Sequence, residues 1–300
     1  MGAFQMGKAP PVLFSIRSEL GMNLLLAGWV LSIFNVIRSF LGSMVGAAAD
    51  AFGYRRFLLT GIGLQAIGSF AGSFAQGAPF LLAIRSLEGI GLLAIAVVAP
   101  AMIAQVTSPQ DTRVALAVWS CFLPIGLATI MFSIPLVTFR LTWRGLWQIN
   151  GAILIAYAFW VMSGTANLFG GSTQTRRKGG LPWQDLFRTV SSAGPVLLAG
   201  TFLIYGLEWL AVMGFLPTML IEEYGFNSGR ASALTATMVA TNIPGNLLSG
   251  WLFHRGCRQW KLIALSSILM GSCSLGIYSP ALPFLIRYIS CLVFWGSAGC

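Results

Sequence analysis

Long apolar runs alternate with short polar segments along almost the whole chain. Each run holds about 20 residues or more, which lets an α-helix cross the hydrocarbon core of a bilayer. Met1 to Asn23 contain no uninterrupted run of that length. The pattern predicts an all-α, polytopic membrane protein with nine spans, near Leu24–Ala49, Phe57–Ala75, Pro79–Val106, Val114–Thr138, Gly145–Ser163, Ala193–Ile221, Ala231–Phe253, Leu262–Ser279 and Ala281–Gly299.

The composition agrees with a membrane protein and excludes several other classes. The chain of 300 residues is 56% hydrophobic and 9% charged, whereas soluble domains carry about 25% charged residues. Its net charge of +10 is spread through short loops and forms no basic face, so no nucleic-acid partner is expected. These basic residues suit anionic lipid headgroups instead. One histidine and five cysteines without a CxxC pair predict neither a metal site nor a cofactor.

The loops divide into a more basic and a less basic set. Ten lysines and arginines lie in one set, and five, including Lys8 and Arg17, lie in the alternate set. Cytoplasmic loops of membrane proteins are the more basic ones, so the first set is expected in the cytoplasm. In a cytoplasmic (inner) membrane the C-terminus is then cytoplasmic and the N-terminus lies outside.

A polar segment divides the chain into two halves. Residues 1–165 are predicted to form an N-terminal helical bundle, 166–190 a cytoplasmic linker with a short interfacial helix, and 191–300 a C-terminal bundle. A shift of 204 residues places Gly46 on Gly250, which indicates weak repeats around a central cavity. Repeated bundles are typical of secondary carriers, which bind substrate between the repeats.

Two motifs resemble signatures of the major facilitator superfamily, namely its loop between the second and third helices and its fourth helix. In chain order they are Gly46-x3-Asp50-x2-Gly53-x-Arg55-Arg56 and Arg85-x3-Gly89-x-Gly91. The resemblance implies a transporter of twelve helices, of which this chain would contain the second to the tenth. Other segments, among them Trp143-Arg144-Gly145-Leu-Trp147, resemble the cyanate and nitroimidazole carrier branch of that family.

Five ionisable side chains fall inside the predicted spans. They are Arg38, Arg85, Glu88, Glu208 and Arg287. Each costs a few kcal/mol in a bilayer and is expected to face a partner or a water-filled cavity. Because three arginines stand against two glutamates, an anion is favoured over a cation as the cargo.

Arg38 is the predicted substrate-binding residue, because a guanidinium group pairs with planar anions through two parallel hydrogen bonds. Asn35 lies on the same helix face and extends this polar stripe. Asn242, beside the bend expected at Pro244-Gly245, is a predicted lining residue from the other half. A structural ion pair between Arg38 and Glu208 remains the alternative.

The other intramembrane charges are candidates for coupling and gating. Arg85 and Glu88, three residues apart on one helix, can pair with each other, which leaves both a gating role and a structural role open. Glu208 is a predicted site for a coupling proton, since a buried carboxyl group holds its proton more readily. A structural pair with an arginine is its alternative. Arg287 lies near the outer boundary and is expected to snorkel.

The charged hairpin after the first predicted span is expected to act as a conformational latch. Its residues are Gly46, Asp50, Gly53, Arg55 and Arg56. Asp50 is predicted to accept hydrogen bonds from the start of the next helix and to pair with Arg56 or a neighbouring loop. The alternative is a hairpin that serves topology alone.

Together these features predict a secondary active transporter that moves a small, anionic solute by alternating access. The lipid bilayer and a coupling proton are its other expected partners. Two alternatives stay open: a proton-coupled exporter of hydrophobic compounds, and a truncated membrane fragment that transports nothing. An intramembrane enzyme is not expected, because the chain has no HExxH, no GxSxG and no paired aspartates in its spans.

Overall fold

The structure, a computed structural model, describes residues 2–108, 111–138, 142–165 and 191–299. The predicted linker and its interfacial helix lie outside the described residues, and the division into three domains stays a prediction. All regular structure in the described ranges is helical. The all-α class is therefore confirmed.

The described part of the chain forms thirteen α-helices and one 3₁₀ turn at Pro10–Val12. In chain order the helices are α1 (Gly2–Gly7), α2 (Leu13–Glu19), α3 (Leu24–Phe52), α4 (Tyr54–Gly72), α5 (Ala78–Val106), α6 (Thr112–Ser120), α7 (Phe122–Thr138), α8 (Trp143–Gly164), α9 (Ala193–Glu222), α10 (Ser228–Ala240), α11 (Asn242–His254), α12 (Gln259–Tyr278) and α13 (Phe284–Ala298). Six segments of these ranges are long and apolar enough to cross a membrane. Each of the nine predicted spans falls on one helix or on a pair broken at Cys121 or Thr241.

Most of the segment before Asn23 is helical, and it packs inside the bundle. Helix α1 packs against α4, α5 and α7, and the side chains of Lys8, Val12 and Ile16 are buried. Counting Lys8 as an outer-loop charge is therefore wrong. Pro10 and its neighbouring proline interrupt the helix, so the apolar run is too short to predict a span although its pieces still pack inside the bundle.

The most extensive contact between the two halves lies at the end of the bundle opposite the Asp50 hairpin. There α7 lies against α10, and α9 lies against the 3₁₀ turn and α3. Ser228 and Ser232, at the start of α10, donate hydrogen bonds to the carbonyl oxygens of Pro11 at 3.2 Å and Met131 at 2.6 Å. One apolar core continues from the N-terminal half into the C-terminal half across this junction.

The structure reveals a second pair of repeated segments. Glu19-x-Gly21-x-Asn23 recurs as Glu223-x-Gly225-x-Asn227 at the same shift of 204 residues. The glycines have φ angles of 61° and 66°, a region that favours glycine. Each asparagine caps the following helix by accepting a backbone N–H at 2.8 Å. Both halves therefore use the same turn before α3 and before α10.

Each repeated carboxylate is bound by an arginine from a later helix of its own half. Arg144, on α8, approaches Glu19 at 2.9 Å, and Arg287, on α13, donates to Glu223 at 2.5 and 3.2 Å. Arg287 also donates to the carbonyl oxygen of Ile277 at 2.7 Å and is only 5% exposed. The expectation that Arg287 snorkels is wrong, because its charge is paired inside the bundle.

The Glu223–Arg287 ion pair predicts acid-sensitive stability. The hydrogen bond from Arg287 holds the pKa of Glu223 below its ordinary value, against a smaller opposing effect of burial. Such a carboxylate stabilises the fold above its unfolded-state pKa, and this contribution is lost as the pH falls through the lower folded-state pKa. We expect Glu223→Gln to lower the free energy of unfolding at pH 7 by less than about 1 kcal/mol, since Glu223 is half exposed.

Thermal unfolding of both proteins in detergent checks this, and the difference between them should become smaller as the pH falls below the ordinary carboxyl pKa of about 4.3. A difference that is equally large at pH 7 and at about pH 3 contradicts an ionised Glu223 as its source.

The close helix contacts differ in part from those that glycine spacing predicts. Gly42-x3-Gly46 predicts a tight contact, but a Cβ atom on either glycine would meet nothing within 4 Å among the described residues. Gly68-x3-Gly72 does lie in close contact. The tight crossing of α4 and α5 is made by Gly61 and Gly91, where a Cβ atom on Gly91 would lie 2.5 Å from the carbonyl oxygen of Gly61.

Gly91→Ala is therefore expected to destabilise the protein by about 1–3 kcal/mol, because the clashing atom belongs to the backbone and cannot rotate away. The measurement is the unfolding temperature and the monodisperse yield in detergent. Gly42→Ala is the matched control, since it adds the same methyl group where nothing lies within 4 Å. Equal unfolding temperatures and equal yields for the two variants would contradict a tight crossing of α4 and α5 at Gly91.

Candidate functional site: a central cavity and a buried charge cluster

A cavity of about 730 Å³ lies between the two halves. Helices α1, α3, α5, α6 and α7 line it on the N-terminal side, and α9, α11 and α13 line it on the C-terminal side. Its described lining contains a single charged residue, Arg38, and no carboxylate. The polar residues of this lining include Asn35, Ser39, Asn242 and Asn246. Pockets that bind organic ligands commonly have volumes of about 300–1,000 Å³.

Arg38 reaches the cavity from the middle of α3. Asn35 and Ser39 also line the cavity, because residues three and four positions apart share a helix face. Among the described residues Arg38 makes no ion pair, so the alternative pair with Glu208 is absent there. A partly buried guanidinium group without a carboxylate beside it is well suited to bind an anion.

Asn242 lines the cavity from the other half, but its amide is already engaged. The Nδ2 atom donates to the carbonyl oxygen of Trp295 at 3.0 Å, and Oδ1 accepts from Asn246 at 2.7 Å. Asn246 in turn accepts a hydrogen bond from Ser120 of the N-terminal half at 3.2 Å. Asn242 therefore positions Asn246, whose bond to Ser120 connects the two halves.

Aromatic side chains form two walls of the cavity. Trp119 and Phe122, at the break between α6 and α7, have ring centroids 4.9 Å apart. Trp209 and Trp295, from the C-terminal half, meet edge to face at 5.7 Å. All four rings line the cavity. Because aromatic rings pack well against flat apolar groups, the cavity combines one cation with ring-lined apolar walls.

A second group of charges is buried inside the N-terminal half. Glu88 accepts hydrogen bonds from Lys8 Nζ and from Arg85 Nη1, each at 2.7 Å. The three side chains are at most 1% exposed. Arg85 also donates to the carbonyl oxygens of Gln5 at 2.7 Å and Val30 at 3.2 Å. The predicted pairing of Arg85 with Glu88 is confirmed, and Lys8 joins it in a three-charge cluster.

Neutral polar groups surround the three-charge cluster. Lys8 Nζ donates to Ser69 Oγ at 2.7 Å and lies 4.3 Å from the ring centroid of Trp147. Gln5, Gln65, Trp147 and Asn150 are among the described residues that have a buried side-chain atom without a hydrogen-bond partner. The cluster therefore has more hydrogen-bonding capacity around it than its ion pairs use.

Lys8 is a site residue that the sequence pattern does not predict. The usable signal is that Lys8 is the single charge between Met1 and Ile16, in a stretch that is otherwise mostly apolar. A lone cation in such a stretch is expected to be paired inside the bundle. Pro10 and Pro11 conceal this signal because they divide the stretch into pieces shorter than a span.

Glu208 lies outside the described lining of the cavity. It is partly exposed on α9, between Leu207 and Trp209, which do line the cavity. Among the described residues it forms no ion pair. Its role in proton coupling stays a prediction, whereas Glu88 is the carboxylate that the fold buries between cations.

The Asp50 hairpin turns through a single residue. Helix α3 ends at Phe52, and Gly53, with a φ angle of 88°, reverses the chain into α4. Asp50 accepts a hydrogen bond from the hydroxyl group of Tyr54 at 2.6 Å, so the predicted bond from the start of the next helix is confirmed. Arg56 is exposed and forms no ion pair with Asp50. The predicted pair of Asp50 with Arg56 is therefore wrong, because the Asp50 carboxylate binds the hydroxyl group of Tyr54 instead.

Arg55 connects the hairpin to a neighbouring helix. It donates to the carbonyl oxygen of Met162 at 2.8 Å and to Thr165 Oγ1 at 3.0 Å, at the end of α8. Gly46 lies one turn before Asp50 with open space beside it. Since these bonds stay within the N-terminal half, the latch function of the hairpin remains a prediction.

Comparison with known proteins places the chain in a family. The family model described as Major Facilitator Superfamily matches residues 1–300. The chain belongs to the major facilitator superfamily. It is therefore related to membrane transporters rather than to enzymes, as the hairpin and fourth-helix motifs predict.

Curated relatives of this chain are named for different compounds. The 3-(3-hydroxy-phenyl)propionate transporter of Escherichia coli (strain K12) is 23% identical over 243 residues, which is 80% of this chain and 59% of that protein. The puromycin resistance protein pur8 of Streptomyces alboniger is 29% identical over 142 residues, or 47% of this chain and 28% of that protein. This chain therefore spans about three fifths of the length of the first and less of the second.

Solved structures of the superfamily show the same fold. The xylose transporter XylE from E. coli, in a partially occluded inward-open conformation, has a TM-score of 0.75 at 15% identity, over 99% of this chain and 78% of XylE. A bacterial homologue of the human lysosomal transporter Spinster, inward-facing and unoccupied, has a TM-score of 0.69 at 17% identity, over 99% of this chain and 71% of the homologue. The chain is thus an integral membrane protein with the helical fold of these transporters.

Proposed function

We propose that this protein is a secondary transporter that carries a small organic anion across the inner membrane by alternating access. The observation that supports this most directly is Arg38, the single charge in the described lining of the cavity. A carboxylate group would pair with its guanidinium fork, while an apolar body would lie between the aromatic walls. The E. coli relative is named for such a compound, a phenylpropionate.

The cavity favours an organic anion over an inorganic one of a few atoms. Its volume of about 730 Å³ is in the range of pockets that hold drug-sized ligands. A three-atom anion such as cyanate would leave most of this space, including the four aromatic rings, without contact. The volume of the cavity is therefore a better guide to the substrate than the resemblance to the cyanate and nitroimidazole branch.

Export of hydrophobic compounds is the second candidate, and the aromatic walls and relatives such as pur8 favour it. A cationic drug fits less well, because the described lining offers an arginine and no carboxylate to balance a positive charge. For a neutral compound, the desolvated charge of Arg38 would stay unpaired in the loaded cavity, which is costly.

Alternating access is supported by the asymmetry of the contacts between the halves. At the end away from the Asp50 hairpin, the halves share an apolar core. Toward the hairpin, the apolar clusters around Ile62 and around Ala49 belong to the N-terminal half alone. If the hairpin faces the cytoplasm, as the basic loops predict, the cavity is accessible from inside. Rocking of the halves would exchange the two arrangements.

A coupling proton is expected at the three-charge cluster rather than at Glu208. Arg85 and Glu88 are buried in the N-terminal half next to elements that line the cavity, since Leu92, one helical turn beyond Glu88, is part of the lining. A change of charge there alters the packing of α1, α3 and α5 against one another. Such a change can bias which of two arrangements of the halves is stable.

The test is uptake by the purified 300-residue chain in liposomes with an inward proton gradient. We expect labelled 3-phenylpropionate to accumulate above its level in protein-free liposomes, which the protonated acid enters by diffusion, and its neutral amide to show no such excess, because only the acid can pair with Arg38. Accumulation of both compounds, or of the amide alone, would favour the transporter of hydrophobic compounds. If the chain is monodisperse but moves neither compound, the proposal of a transporter for such anions fails and the non-transporting fragment remains.

A further inference from the structure

We propose that the coupling proton of this transporter is carried by the amine of Lys8 and not by a carboxylate. This inference rests on the proposed proton-coupled transport. It begins from the charge count of the three-charge cluster. Lys8 and Arg85 supply two positive charges and Glu88 one negative charge, in side chains that are at most 1% exposed.

The net charge of the cluster decides which proton is the mobile one. With all three groups ionised, the cluster carries one unit of positive charge away from water, which is unfavourable. Loss of a proton from Lys8 leaves a neutral Arg85–Glu88 pair. Protonation of Glu88 would instead leave two buried cations without a counter-charge, the arrangement that costs most when an ion pair is broken.

The hydrogen bonds lead to the same assignment. An ammonium group has three N–H donors, and Lys8 uses two of them on Glu88 Oε1 and Ser69 Oγ, each at 2.7 Å. A neutral amine retains two N–H groups, so both bonds survive loss of the proton. Each oxygen of Glu88 accepts from one cation, so a proton on either oxygen would place an O–H group against an N–H group.

Apart from Glu88, no described group near Lys8 can carry the coupling proton. The guanidinium group of Arg85 does not lose its proton in proteins. The remaining side chains that face the cluster are neutral and do not titrate: Gln5 of α1, Gln65 and Ser69 of α4, and Trp147 and Asn150 of α8. Among the described residues, Lys8 and Glu88 are thus the two candidates, and the charge count favours Lys8.

The position of Lys8 connects the proton to the substrate cavity. Met6, two residues before Lys8, lines the cavity, and the guanidinium carbon of Arg85 lies 4.2 Å from the ring centroid of Phe34, next to Asn35. A negative charge in the cavity attracts the positive charge of the cluster and so favours the protonated form of Lys8. Bound anion and bound proton therefore stabilise each other reciprocally, which is the condition for moving both in the same direction.

The chain offers a direct spectroscopic test, because it contains three lysines: Lys8, Lys178 and Lys261. In protein labelled with ¹⁵N-lysine, three Nζ signals are expected, and Lys8→Arg removes the one that belongs to Lys8. We expect that signal to change from ammonium to amine below the ordinary lysine pKa of about 10.4, because burial disfavours the charged form of Lys8. Saturating 3-phenylpropionate should move this transition to higher pH.

Transport by Lys8→Arg provides the second readout. Arginine keeps the positive charge and can bond Glu88, but it cannot release its proton. We expect the variant to exchange labelled for unlabelled 3-phenylpropionate across liposomes, while proton-driven accumulation falls at least about tenfold. Lys261→Arg, an exposed substitution of the same kind, should leave both activities unchanged.

The possible outcomes separate this inference from the proposed function. If Glu88 titrates while Lys8 stays charged, Lys8 is not the carrier although transport can still be proton-coupled. If Lys8 titrates but the accumulation of 3-phenylpropionate does not depend on the proton gradient, Lys8 is still the site of protonation, but the proposed coupling to transport is wrong. If Lys8→Arg accumulates substrate as well as the parent does, the assignment of Lys8 is overturned.

Discussion

Glu88→Gln is expected to destabilise the protein by about 3–5 kcal/mol, the typical cost of leaving buried charges without their counter-charge. The substitution keeps the size of the side chain but removes the negative charge that Lys8 and Arg85 share at 2.7 Å each. Arg85, which does not lose its proton, would then remain as an unpaired cation inside the N-terminal half with only neutral acceptors. The measurement is the fraction unfolded against denaturant in detergent micelles.

Lys8→Met is the informative comparison, because it removes a charge from the same cluster and leaves the Arg85–Glu88 pair balanced. We expect it to cost about 1 kcal/mol, close to the net value of a lost hydrogen bond. Glu19→Gln, in a partly exposed ion pair with Arg144, controls for loss of a carboxylate in general. Equal losses for Glu88→Gln and Lys8→Met contradict the charge count on which the cluster depends.

The helices were predictable because a bilayer imposes a minimum length on any apolar segment that crosses it. That rule locates the spans but not their breaks at Cys121 and Thr241. Each break lies three residues before a proline, Pro124 or Pro244, and a proline cannot donate to the carbonyl group four residues earlier. The same rule fails for α1 and α2, since Pro10 and Pro11 divide an apolar segment that packs inside the bundle all the same. Length is therefore a reliable guide only where the helix is continuous.

The site was predictable where it depends on neighbours within one helix. Asn35 and Arg38 line one cavity, and Arg85 pairs with Glu88 three residues away, because helical periodicity fixes both relations. The contact of Lys8 with Glu88 joins residues 80 positions apart in the chain. Helical periodicity relates only residues that are close in the chain, so it could not predict this contact. Glu223 and Arg287, which are 64 positions apart, were missed as a pair for the same reason.

Arg38→Gln is expected to weaken binding of an organic anion by about 10–100-fold, the effect of losing a charged hydrogen-bond pair worth about 1.5–3 kcal/mol. The measurement is the dissociation constant of 3-phenylpropionate for the purified protein, followed by tryptophan fluorescence, since Trp119, Trp209 and Trp295 line the cavity. Arg38→Lys should fall between the parent and Arg38→Gln, because a lysine keeps the charge but loses the planar fork.

The stability of the same variants distinguishes a binding arginine from a structural one. Arg38 has no ion-pair partner among the described residues, so its removal leaves no carboxylate unpaired, and we expect Arg38→Gln to be as stable as the parent or more so. Arg230→Gln, at an exposed arginine outside the cavity, should change neither binding nor stability. If Arg38→Gln unfolds easily while its affinity for the anion is unchanged, Arg38 supports the fold and does not bind the cargo.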